Sequence, residues 1–159
     1  MTDSVAELEH AIGQARSQYF RLVLVVGLPG SGKTAALQAL AQKIDSHLVN
    51  VNRELSRKLL ELTRKQRSHQ VGRLFKEVID PISGEVVILD NLEILFDIDL
   101  EVEPLRLLQI LSRNRTVIAS WNGTFRDGTL TYAEPGHPEF IQFKQTEAIV
   151  ITLNQITTP

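Results

Sequence analysis

Gly27-Leu28-Pro29-Gly30-Ser31-Gly32-Lys33-Thr34 brings glycines, a lysine and a hydroxyl together at the spacing G-x-x-x-x-G-K-[ST]. That pattern suits a phosphate cradle. Glycines let successive backbone N–H groups curl around an anion, and a following helix N-terminus adds partial positive charge. Lys33 would reach the β- and γ-phosphates, and the Thr34 hydroxyl would ligate Mg²⁺. The flanks agree with this reading. Leu22 to Val26 is an apolar, β-branched run typical of a buried strand, and Thr34 to Ile44 is rich in Ala, Leu, Gln and Lys, as in a helix. The segment therefore implies a site for a nucleoside triphosphate with Mg²⁺.

A second set of residues bears on what happens to the triphosphate. Glu85-Val86-Val87-Ile88-Leu89-Asp90 reads as a buried strand with a carboxylate at its C-terminal edge, where ligands bind in open α/β sheets. Asp90 is the candidate for supporting the Mg²⁺ held by Thr34. Hydrolysis also needs a group that orients the attacking water. Glu93 follows Asp90 by about one helical turn and could point the same way, while Asn91 could position water without real basicity. Both remain open. Ser120 and Asn122, at the end of the run Thr116 to Ser120, are candidates for sensing a γ-phosphate. Arg113 and Arg115, just before that run, could deliver a guanidinium from a neighbouring subunit or simply favour a helix C-terminus. His137 stands in a proline-stiffened loop, and the four histidines lack close metal-ligand spacing.

These residues need a scaffold. Ser4 to Tyr19 reads as an amphipathic helix with Ser4 and Glu7 as a capping box and Val5, Leu8, Ile12, Ala15 and Tyr19 as its apolar stripe. His47 to Val51 reads as a second strand. Asn52 reads as the N-cap of a helix over Arg53 to Thr63, and another helix is expected over Val71 to Ile79. Leu92 to Asp97 and Pro104 to Leu111 read as helical, Thr116 to Ser120 as the fourth strand and Ala148 to Leu153 as the fifth. Between Trp121 and Phe143 the glycines and prolines indicate loops and room for a small hairpin. Alternation of strands and helices implies a parallel sheet with helices on both faces.

The 159 residues suffice for one domain with a real core, read here as spanning 1–159 with an N-terminal amphipathic helix over 1–20. A hydrophobic fraction of 43% with 23% charged residues points to a globular rather than a disordered chain. The absence of cysteine excludes disulfides, thiolate metal sites and cysteine nucleophiles. No apolar run approaches a membrane span and the N-terminus does not read as a signal peptide, so a cytoplasmic protein is expected. Net charge is only −2, yet it is unevenly spread. Between Arg53 and Lys76 basic residues dominate, including Arg57, Lys58, Arg64, Lys65 and Arg67, whereas all the charges from Glu77 to Glu103 are acidic. Two solvated faces, a surface for double-stranded DNA, or complementary faces of a homo-oligomer all fit this distribution.

The pattern resembles the additional-strand class of P-loop NTPases and, within it, the AAA+-like ATPases. That resemblance implies a three-layer α/β fold whose five-stranded parallel sheet, order 5-1-4-3-2, is flanked by helices. It implies that the Gly27–Thr34 loop and the Thr116 to Ser120 strand bind nucleotide, and it favours ATP, since no Asn-Lys-x-Asp guanine signature occurs. Asn91 stands where that class usually carries its catalytic Glu, and no C-terminal helical lid is expected. More closely, the chain resembles the BrxF family of small P-loop proteins from type 3 BREX bacteriophage-defence systems. The likeness rests on Gly27 to Thr34, Asn52 to Ser56 with Leu59-Leu60, Leu89 to Asp97, Pro104 to Leu108 with Ser112 to Arg115, and Ala133 to Glu139. It implies a bacterial role beside other BREX components as an ATP-dependent switch or assembly factor. An ATP-gated DNA-binding scaffold with little hydrolysis is the alternative, and a small-molecule kinase is a further one.

Overall fold

The computed structural model describes residues 2–153. Its centre is a sheet in which β2 (Leu48–Asn50), β3 (Val86–Asp90), β4 (Thr116–Arg126), β1 (Leu22–Gly27) and β7 (Ile149–Thr152) lie side by side in that order. All of these neighbours run parallel. Helices α1 (Thr2–Ala15) and α2 (Lys33–Lys43) cover one face, and α3 (Val51–Leu59), α4 (Arg64–Ile79) and α5 (Pro104–Leu111) the other. The strands are nearly continuous in apolar residues because both faces are buried. Their period of two divides them cleanly. Val23, Val25, Ile88 and Ile118 pack with Leu8, Ile12, Leu37 and Leu40 of α1 and α2. Leu22, Leu24, Val26, Leu89 and Trp121 pack with Leu55, Val71, Phe75 and Leu108 on the opposite side. Each fully buried leucine or valine contributes on the order of 1.5–3 kcal/mol.

Several element boundaries differ from the sequence reading, each for a local reason. Helix α1 begins at Thr2, so Ser4 lies inside it, and it ends at Ala15, where the Ser17 hydroxyl donates to the Gln14 carbonyl at 3.1 Å. Val5, Leu8, Ile12 and Ala15 are buried as a stripe, but Tyr19 lies beyond the helix and is 67% exposed. The N-cap of α3 is Asn50, whose side chain accepts from Arg53 N at 3.0 Å, and Asn52 is released for another task. That helix stops at Leu59, whose carbonyl accepts from the Arg67 Nε, as does the carbonyl of Leu62 just beyond the helix. Helix α4 starts at Arg64 rather than Val71, behind a capping box in which Thr63 and Gln66 satisfy each other's backbone N–H. The stretch before Val71 is polar and carries no apolar period, so only the cap marks the start.

The largest difference lies after Ser120. Strand β4 continues to Arg126, turns at Asp127-Gly128, both with positive φ, and returns as β5 (Thr129–Tyr132), which pairs in turn with β6 (Ile141–Phe143). Asp-Gly is favoured at such a two-residue hairpin because both positions need left-handed backbone. The sheet thus has seven strands rather than five, its extension antiparallel. Gly123 permits the close pairing, since a Cβ there would collide with the Thr131 carbonyl.

Candidate functional site

The loop after β1 turns through Gly30 and Gly32, with φ of 84° and 96°, which only glycine adopts freely. Gly27 is required for a different reason. A Cβ there would run into the Ser31 hydroxyl and the Leu153 carbonyl. The loop closes onto Lys33, whose ammonium donates to the carbonyls of Gly27 (2.8 Å) and Leu28 (2.9 Å) and to Ser31 Oγ (3.3 Å). Lys33 is only 7% exposed. Burial pulls its pKa below the ordinary lysine value, while the charges of Asp90 and Glu93 work the other way and favour the ammonium.

Asp90 ends β3 beside the first turn of α2. The Thr34 hydroxyl donates to its Oδ2 at 2.7 Å, and its Oδ1 accepts from Ser120 Oγ at 2.6 Å and from the Asn91 N–H at 2.9 Å. Three donors fix a buried carboxylate in one orientation. A hydroxyl and an oriented carboxylate side by side form an all-oxygen donor pair of the kind Mg²⁺ prefers, so the residues present fit that ion.

Asn91 adopts left-handed backbone at φ 57°. The turn returns the chain towards the site, and the Asn91 carbonyl accepts from the Asn52 N–H at 2.8 Å. Glu93 follows in a short 3₁₀ turn. Its Oε2 accepts from Asn52 Nδ2 at 3.3 Å and its Oε1 from Asn122 Nδ2 at 3.0 Å, while Asn52 Oδ1 accepts from Ile94 N at 2.7 Å. Glu93 is therefore held between the ends of β2 and β4, within electrostatic range of Lys33. The side chain of Asn91 makes no hydrogen bond among the described residues, so of the two water-positioning candidates only Glu93 has an oriented polar group. Asn52 was missed as a site residue because its type and position also suit a helix cap.

Beside Glu93 and the loop lies a cleft of about 590 Å³ lined by Leu28, Asn122, Tyr132, Glu134 and Glu139 among others. Burial first, then the charges of Glu93 and Glu139, push the Tyr132 phenol above its ordinary pKa, so it keeps its proton.

The other expected site residues divide. Ser120 and Asn122 stand at the correct sheet edge, but their side chains bind Asp90 and Glu93. Thr116 does not belong with them. It pairs level with Val86 at the opposite end of β4, about 20 Å of strand from Asn122 at roughly 3.3 Å per residue. Arg113 and Arg115 precede β4 at that far edge. The Arg113 guanidinium lies 4.0 Å from the Tyr19 ring centroid, and Arg115 donates to the carbonyls of Ile79 and Gly84. Neither can reach the loop of its own chain.

The basic segment is also partly committed within the chain. Arg67 caps α3, Arg64 lies 3.6 Å from Asp99, and Lys58 lies 3.8 Å from Glu77. Arg57 pairs loosely with Glu54 at 3.9 Å, and Lys65 is exposed.

A glycine loop between β1 and α2, with its lysine buried and its threonine bonded to the aspartate that ends β3, a parallel strand separated from β1 by β4, defines a P-loop nucleotide-binding protein. The AAA ATPase domain family matches residues 2–86, just over half the chain, and the chain belongs to that family. The match ends before Asp90, so Asp90, Glu93, Ser120 and Asn122 take their assignment from geometry. Among solved structures, one titled "Structure of C. elegans PCH-2" aligns at 17% identity with a TM-score of 0.49, covering 94% of this chain. The chain spans 41% of that one. No curated protein matches the chain.

Proposed function

We propose that this protein binds ATP with Mg²⁺ and hydrolyses it, acting as a nucleotide-dependent switch or assembly factor in a bacterial BREX anti-phage system. The observation that carries the reading is the convergence of Lys33, Thr34, Asp90 and Glu93 at one sheet edge. ATP would displace the Gly27 and Leu28 carbonyls from the Lys33 ammonium, which would then carry phosphate charge. Thr34 and Asp90 would hold Mg²⁺, which neutralises charge on the phosphates. Glu93 accepts a proton from the attacking water as the new oxygen–phosphorus bond forms and the bond to the β-phosphate oxygen breaks. A homo-oligomer completes the site, with Arg113 of one copy reaching the phosphates of the next. The defence role and other BREX proteins as partners rest on the resemblance of Leu89 to Asp97, Pro104 to Leu108 and Ala133 to Glu139.

The second reading is an ATP-gated scaffold on DNA with little turnover. It is favoured by Asn91 directly after Asp90 and by the exposed Arg57, Arg64 and Lys65.

The deciding experiment is steady-state ATP hydrolysis over a wide protein concentration range, with and without double-stranded DNA. Lys33→Ala and Glu93→Gln run in parallel. The proposal expects turnover that rises with concentration and falls by about 100-fold or more in both variants. Tight ATP binding without turnover in any of these conditions would favour the scaffold. Turnover undiminished in Lys33→Ala would overturn the site itself.

A further inference from the structure

Tyr19, Ile98 and Ile110 are 67%, 62% and 52% exposed. Apolar side chains scattered singly over a surface need no explanation, but these fall in two patches of opposite charge at the two ends of α5. The first lies at its C-terminal end. The Arg113 N–H donates to the Ile110 carbonyl, and the Arg113 guanidinium lies over the Tyr19 ring, which Phe20 braces edge-on at 4.8 Å. Arg21 donates to the Arg113 carbonyl at 3.0 Å, and Arg106 precedes Ile110 by about one turn of α5. None of these three arginines forms an ion pair among the described residues. The second patch lies at the N-terminal end. A groove of about 240 Å³ there is lined by Val102, Pro104, Phe140 and Ile98, together with the carboxylates of Asp97, Glu101 and Glu139. No lysine or arginine lines it.

We infer that these two patches are the contact between copies of this chain. Tyr19 and Ile110 of one copy seat in the groove of the next, and Arg21 and Arg106 meet its carboxylates. Burial of the apolar side chains drives the contact, and the charges fix its register, because each patch repels its own kind. The patches lie about 12 Å apart along the 8 residues of α5, at 1.5 Å per residue. Two copies with their α5 helices antiparallel therefore make the contact twice and close as a pair. Glu139 lines both this groove and the cleft beside Glu93, so the contact carries Arg113 to the side of its neighbour that holds Glu93. This contact rests on the homo-oligomer reading above and supplies its surfaces.

The test is sedimentation velocity of the full chain, without nucleotide or DNA, from micromolar to submillimolar concentration. Ile110→Asp sets a carboxylate against the acidic groove, and Ile98→Arg sets a guanidinium against the arginines. Both positions are exposed, so the fold should survive, as far-UV circular dichroism would verify. Wild type is expected to self-associate, and each variant alone to do so at least about tenfold more weakly. An equal mixture of the two should recover association, since the altered patches then attract each other and the other two patches are native. Gln42→Asp, exposed on α2 across the sheet, should change nothing. A mixture that stays dissociated, or equal weakening by Gln42→Asp, would overturn the contact. Wild type that associates along with both variants would sink the contact while leaving an oligomer, whereas monomeric wild type would remove both. Association that needs added double-stranded DNA would assign the arginines to nucleic acid and overturn the contact too. Mass is read without turnover, so neither result depends on ATP hydrolysis.

Discussion

In the proposed mechanism Glu93 carries the chemistry at the residue scale, and its position is set by two amides rather than by its neighbours in sequence. Asn52 holds one carboxylate oxygen and Asn122 the other. Removing Asn122 frees Glu93 without touching the phosphate loop. Asn122→Ala should therefore lower kcat about tenfold while ATP affinity stays within about twofold, the pattern of a lost positioning bond. Single-turnover kinetics with equilibrium nucleotide binding would separate the two, and an equal loss of affinity would assign Asn122 to nucleotide contact instead. Ser120 acts on Asp90 in a comparable way at 2.6 Å, so Ser120→Ala should weaken the Mg²⁺ dependence of ATP binding rather than ATP binding in EDTA.

At the scale of elements, the hairpin β4–β5 stands on one glycine. Gly123→Ala places a methyl group against the Thr131 carbonyl and should cost about 3 kcal/mol in denaturant unfolding, since backbone cannot yield as a side chain does. A change under about 0.5 kcal/mol would show that the strands can separate there. Arg67 is the corresponding device for α3. Its Nε serves the terminal carbonyl of Leu59 and that of Leu62 in the following turn, so Arg67→Ala should lose about 1 kcal/mol of stability whether or not DNA is present. Arg115 is likewise bound to Ile79 and Gly84, which makes Arg113 the cleaner residue for testing a contribution between subunits.

For the whole molecule, the far-edge position of Arg113 means that any role at the phosphates requires a second copy. Mixing inactive Arg113→Ala and Glu93→Gln proteins should restore up to about a quarter of wild-type turnover if the site is shared between copies. No recovery at any ratio would confine Arg113 to its contact with Tyr19. DNA binding is best tested with Arg57, Arg64 and Lys65 changed together, because none of them caps a helix. The proposal of a DNA surface expects the salt dependence of affinity to become shallower in that triple variant. Among the described residues no helix is long and apolar enough to cross a membrane.

The sequence alone determined the phosphate loop, the Asp90 strand and the helix–sheet alternation. Each is a local pattern: a glycine spacing, an apolar run closed by a carboxylate, a switch of period. Tertiary structure decided the rest. Asn52 reads locally as a helix cap, and only the parallel register of β2, β3 and β4 shows that it shares Glu93 with Asn122. Thr116 and Ser120 lie on one short run, yet the direction of β4 sends them to opposite edges of the sheet. The hairpin had its Asp127-Gly128 signal in plain view, but neighbouring glycines and prolines hid the alternation around it. Polar side chains are promiscuous in local pattern, and long-range strand pairing chooses among their partners.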